Sequence, residues 1–202
     1  MFFALAVVVS LVIAFVRGYP LDDIVAKPFR VWPFAVAGAL LHLLVNLRVF
    51  AAVLAAHPLG LTLPLGAYLY LASFAFLIAF LLANRDHPGF TVLLIGLSLN
   101  LVEIAANDGQ MPGDTNQLAA AGLLDYQVKE AAAGLWSPFS LISPTTVLPW
   151  LGDRIFMPMP FRQPVILSVG DLVITLGCFL FCNNPFRRTT VFSSRRRLGY
   201  RM

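Results

Sequence analysis

Long apolar stretches separated by short polar punctuation run the length of the chain, and five of them suit helices that cross a lipid bilayer. A helix covers the hydrocarbon core with about 20 apolar residues, in a range near 17–25. The pattern predicts spans over residues 2–16, 31–56, 65–83, 90–106 and 165–182. The first is short and must draw on its flanks or on neighbours, whereas the second is long enough to tilt. Pro64 suits the start of the third, and Asn183-Asn184-Pro185 stops the fifth. Residues 107–164 form a long outer loop in which Asp114 is positioned to cap a short helix running to about residue 133. Beyond it the loop is apolar yet broken by Pro138, Pro144 and Pro149, so it is expected to lie along the membrane surface or to cap the bundle. The expected fold class is all-α: an integral membrane bundle of about five transmembrane helices forming one domain over 1–186, followed by a basic tail over 187–202.

Composition supports the membrane reading. Of the 202 residues, 59% are hydrophobic and 12% charged, against roughly 25% charged in a soluble domain; mean hydropathy is +0.81. The net charge of +4 resides in the tail arginines Arg187, Arg188, Arg195, Arg196, Arg197 and Arg201, which excludes a nucleic-acid reading and points to anionic lipid or to orientation. With the tail inside, Arg17, Lys27, Arg30 and Arg85 share its side, and Lys129, Arg154 and Arg162 fall opposite. The positive-inside rule then selects N-out, C-in, in a bacterial cytoplasmic membrane with a cytoplasmic C-terminus. The start lacks a basic residue ahead of its apolar run and reads as an uncleaved anchor. Trp32 falls at the inner boundary, and Trp136 and Trp150 read as outer interfacial residues. Cys178 and Cys182, one turn apart, read as packing thiols, with lipidation of Cys182 as the alternative.

The candidate chemistry lies near the outer ends of the spans. Asn100, Glu103 and Asn107 share one helix face at i, i+3 and i+7. Asn46 and Arg48 on the second span and Asp171 on the fifth reach a similar depth. An intramembrane ionisable group is a functional candidate by default, because its burial costs several kcal/mol unless it is paired or neutralised. This cluster reads as an ion-pair and amide network that fixes helix register, as a pocket for a headgroup, quinone or small polar ligand, or as an ion path. His42, mid-way along the second span, is a candidate axial ligand for a chlorin pigment or else a hydrogen-bonding partner to a neighbouring helix. His57 and His87 have no partner at metal spacing, so no metal site is expected. The chain carries no GxSxG, HExxH, P-loop or dinucleotide fingerprint, and it is read as non-enzymatic.

Two stretches, Asn100-x-x-Glu103-x-x-Ala106-Asn107-Asp108-Gly109-x-Met111-Pro112 and Leu151-Gly152-Asp153-Arg154-Ile155 with Ser168-x-Gly170-Asp171, resemble an uncharacterised family of small bacterial multi-pass membrane proteins. The family pattern is a helix exit of Asn-Gly-Gly-x-Met-Pro type and a final helix that opens with Gly-Asp; Asp108 departs from its glycine pair. The resemblance covers about the last half of the chain. It implies the five-span layout and implicates Asn107, Asp108, Gly109, Met111, Pro112, Asp153, Gly170 and Asp171, without supplying a reaction.

Together these readings describe a non-catalytic accessory subunit that braces a larger photosynthetic or respiratory membrane complex, contacts lipid and other subunits, and helps bind quinone, pigment or structural lipid. A small transporter or channel using the outer polar cluster is the alternative.

Overall fold

The computed structural model describes residues 2–17, 27–57, 60–158 and 164–183. The basic tail over 187–202 and Arg162 lie outside the described residues. The described chain is mostly helical, with two small sheets among its connections.

Helices α1 (Phe2–Val16), α4 (Leu65–Ala83) and α5 (Phe90–Ala106) occupy the predicted ranges. Pro64 precedes α4 with φ −65° and ψ 155°, the extended geometry that delivers a chain into a helix start. Of the described helices, α4 is the one long and apolar enough to cross a membrane by itself. The predicted single rod over 31–56 is not continuous. Helix α2 (Trp32–Asn46) ends at Leu47, whose extended backbone (φ −84°, ψ 112°) interrupts the hydrogen-bond ladder. A 3₁₀ turn at Arg48–Phe50 and the short α3 (Ala51–Leu54) follow, bent 71° from α2. The cause is local. Asn46 turns its side-chain amide back onto the His42 carbonyl at 2.7 Å, a bond that competes with the regular ladder and favours a break. Taken together, the bent pair has the length and apolarity of one broken span.

The predicted fifth span also begins differently. Val165–Leu167 is a strand, and helix α8 starts only at Val169, running to Asn183. Two β-branched residues start that strand, and a sequence device separates it from the helix. Ser168 Oγ accepts from the Asp171 amide at 3.0 Å, while the Ser168 amide donates to Asp171 Oδ2 at 3.2 Å. This reciprocal pairing is a capping box, and it sets the helix start in one place.

In the long loop, Asp114 caps a helix as predicted, accepting from the amides of Asn116 and Gln117. The helix is shorter than expected. Helix α6 (Thr115–Ala120) stops before Gly122, which takes φ +70°, and α7 (Leu124–Ala132) is a separate helix. The expectation of a purely helical fold is corrected by four short strands. β1 (Met111–Gly113) pairs in parallel with β2 (Phe139–Leu141), and β3 (Ile155–Met157) pairs antiparallel with β4 (Val165–Leu167). Prolines break helices in this loop but leave two- and three-residue stretches free to make ladder bonds, and these give buried backbone groups their partners.

Packing runs in a row: α1 on α8, α8 on α5, α5 on α4, and α4 on α2. The loop closes one end of this row. Its Trp136 is 4% exposed and joins Val45, Leu54, Ala67, Tyr70, Phe74, Ile104 and Met111 in one cluster. The expectation of an interfacial Trp136 is therefore wrong: its indole covers Gly66, where a Cβ would run into the ring. Trp32 and Trp150 are exposed.

Candidate functional site

The cap end of the row holds a cavity of about 310 Å³. Helices α2 and α4 contribute His42, Asn46, Tyr70 and Phe74 to its wall, α5 contributes Asn100, and α8 contributes Asp171. The cap closes it with residues that include Gln127, Ser140 and Asp153. Each acid arrives by a different route. Asp171 is positioned by the capping box that starts α8, and its Oδ1 accepts from Asn100 Nδ2 at 2.9 Å. Asn100 Oδ1 in turn accepts from Ser168 Oγ at 3.0 Å. Gly170 makes this approach feasible, since a Cβ there would overlap Asn100 Oδ1 and come within 2.8 Å of the Gly96 carbonyl.

Asp153 comes from the loop. Its amide donates to the Pro112 carbonyl at 2.8 Å and its carbonyl accepts from the Asp114 amide at 2.9 Å, which ties it to β1. Its side chain is 8% exposed, and Oδ1 has no hydrogen-bond partner among the described residues. Burial first, with Asp171 and Glu103 adding like charge, holds the Asp153 carboxyl well above the ordinary carboxylate range. Glu103 lies behind the wall, fully buried, and both of its oxygens lack a partner among the described residues. It presses on the backbone next to Asp153: a Cβ on Gly152 would lie 2.9 Å from Glu103 Oε1. Three carboxylates thus share one low-dielectric neighbourhood, and none of them makes an ion pair among the described residues.

Of the predicted polar cluster, the cavity wall unites Asn46, Asn100 and Asp171, with Glu103 behind it. Arg48 does not join them. The bend at Leu47 carries it to the cap surface, where it pairs with Glu130 at 3.4 Å and lies 5.1 Å over the Tyr126 ring. The expected cation for the buried acids is therefore absent from their side. Asn107 also has another task. It donates to the Glu103 and Val147 carbonyls (2.8 and 2.9 Å) and accepts from the Val147 amide at 2.8 Å, clamping the loop over the end of α5. His42 faces Ser73 Oγ at 3.5 Å and packs on Tyr70 and Phe74, which matches the helix-to-helix alternative for it.

The resemblance residues turn the chain out of α5. Asp108 (φ +55°) and Gly109 (φ +79°) are both left-handed. Asp tolerates that region better than most residues with a side chain. Gly109 fits against Ala67, where a Cβ would meet the Ala67 Cβ at 2.5 Å. Met111 and Pro112 are buried in the cap.

The family of unknown function DUF5317 matches residues 30–183. The chain belongs to this family. That range takes in every described element except α1, and it contains the whole cavity. An uncharacterized protein of Thermotoga maritima is 33% identical over 109 residues, which is 54% of this chain and 59% of that relative. The match thus spans little more than half of the relative's length. No solved structure matches the chain.

Sequence reasoning did not bring Asp153 into the acid group, because a loop residue some fifty positions from Glu103 declares no spatial relation to it. Ser168 was the readable omission: Ser168-x-x-Asp171 has capping-box spacing.

Proposed function

We propose that this DUF5317 protein is a multi-pass membrane protein of five spans, N-out and C-in, that binds a small solute in an outward-opening pocket beneath its loop cap. One observation carries the reading. A cavity of about 310 Å³ is lined by Asp153, whose buried Oδ1 has no partner among the described residues. A buried polar atom that the fold leaves unsatisfied beside a concave surface calls for an explanation, and a ligand in that pocket would supply one. α4 and the bent pair have the length and apolarity to cross, and the apolar α5 and α8, of 17 and 15 residues, complete the bundle by packing on one another. Tail arginines and the Lys27, Arg30 and Arg85 connections on one side support the orientation.

This reading belongs to the transporter class. The accessory-subunit reading remains the second, supported by exposed Val12, Phe15 and Val16 on α1 and Leu40 and Leu43 on α2. Such faces meet lipid in a lone bundle and a neighbouring subunit in a complex, where quinone, pigment or structural lipid would be the bound group. Topology and access are tested together by Ser140→Cys, in a background with Cys178 and Cys182 replaced by serine. A membrane-impermeant maleimide should label it in intact cells. Labelling only after permeabilisation overturns the outward pocket.

A further inference from the structure

The chemistry of the cavity wall narrows the solute further. Asp153 and Asp171 line it, and among the described lining residues there is no Lys or Arg. Arg48, from the adjoining turn, is engaged by Glu130 and Tyr126. An anionic ligand would meet two acidic groups and no cation among the described lining residues, and any like-charge contact costs more in a low-dielectric site than in water. A carboxylate this buried persists only as the neutral acid or beside a cation. Metal ions are a poor match, since no group of three His, Cys, Asp or Glu among the described residues is disposed to hold one.

The remaining wall is aromatic and apolar. Tyr70 and Phe74, at 82° to each other with centroids 5.3 Å apart, stand beside the acids with His42. Aromatic rings next to carboxylates favour an organic cation, through ring quadrupole and apolar contact together. Asp171 already accepts from Asn100 and from the Ser168 amide, yet each carboxylate oxygen can accept a second bond. Asp153 Oδ1 has no bond to give up. The volume is at the small end of ligand sites, about 300–1,000 Å³.

We propose that the cavity takes a small organic ammonium ion, its nitrogen held between Asp153 and Asp171 and its carbon frame against Tyr70 and Phe74. This rests on the outward-pocket reading and adds the charge class of the solute.

The test uses the full chain in lipid nanodiscs and calorimetric titration with three probes of similar size: n-butylammonium, neutral 1-butanol and anionic butyrate. Saturable binding is expected for n-butylammonium, none for butyrate, and an affinity on the order of tenfold lower or worse for 1-butanol. Asp153→Asn should weaken n-butylammonium by a similar factor. Should that variant misfold, the native protein answers alone. Its affinity for n-butylammonium rises with pH as the Asp153 carboxyl, held above the ordinary range by burial and by Asp171 and Glu103, loses its proton, while that for 1-butanol stays flat. The groups facing Asp153 there are Glu103 from α5, Asp171 from α8, Tyr70 from α4 and His42 from α2. Equal or tighter binding of 1-butanol or butyrate overturns the ammonium assignment and leaves a solute pocket standing. Binding of none of the three also overturns it, and the Ser140→Cys labelling then decides the pocket separately.

Discussion

The two ends of the helix row treat buried polar groups in opposite ways. At the α4–α5 turn, Asn84 is fully buried and matched on every side. Its Oδ1 accepts from the Arg30 amide, and its Nδ2 donates to the Arg30 and Phe80 carbonyls, all at 2.8 Å. His87 beside it packs against both Phe29 and Phe90, with ring centroids at 4.8 and 5.0 Å. Asp86 pairs with Lys27 and, at 3.8 Å, with Arg30. At the cap end, Glu103 and Asp153 are as deeply buried, and three of their oxygens have no partner among the described residues. Where donors and acceptors balance, polar burial fixes the position of the chain. Where acceptors exceed donors, the fold maintains a costly charge or proton that a ligand can exploit.

The contrast can be broken by substitution. The largest effect is expected from Gly170→Ala, whose new methyl overlaps Asn100 and crowds the Gly96 carbonyl. Rigid helix packing on that side should lose about 3 kcal/mol, seen as a marked fall in melting temperature; unchanged melting would mean that α5 and α8 do not approach as described. Next, Asn84→Ala should cost about 2 kcal/mol, because it strands the Arg30 backbone groups, whereas Glu103→Gln should be neutral or stabilising. Equal losses from the two would erase the distinction between the ends.

The acid end should also respond to pH. Asp153 holds its proton more tightly in the fold than in the unfolded chain, where the ordinary value is 3.8. Its stabilising contribution is therefore complete below 3.8 and disappears as pH rises through the raised value. Melting temperature should climb as neutral protein is acidified, and Asp153→Asn should flatten that slope; an unaltered slope in the variant counts against it. The smallest effect belongs to Arg48→Ala. Its side chain is 66% exposed beside Glu130, so chemical denaturation should register a loss of about 0.5 kcal/mol.

Much of the helical layout was legible because apolar runs and proline punctuation act locally. Residues 2–16, 65–83 and 90–106 needed no tertiary information. The break after Asn46 was less legible, since an amide that bonds back to His42 looks in sequence like any polar residue in a span. Strand pairing in the loop was not legible at all. Met111–Gly113 finds Phe139–Leu141 across two intervening helices, and three-residue strands carry no period long enough to recognise. For the site, Glu103, Asn100 and Asp171 declared themselves as polar groups in apolar runs. Their partner Asp153 did not, and Arg48 misled because depth along a straight helix is no guide past a 71° bend.

By itself, then, the sequence determined where the chain is apolar enough to form helices, where proline or a capping residue starts several of them, and which charged groups have no polar neighbours within reach along the chain. These follow from nearest-neighbour backbone chemistry and from side-chain transfer energies. Only the tertiary structure decided which carboxylates meet, which cation is withheld from them, and that the loop closes a cavity over them. Those outcomes depend on how separate segments approach, at contacts such as Gly170 on Asn100 and Gly152 on Glu103, where one absent methyl group permits the fit.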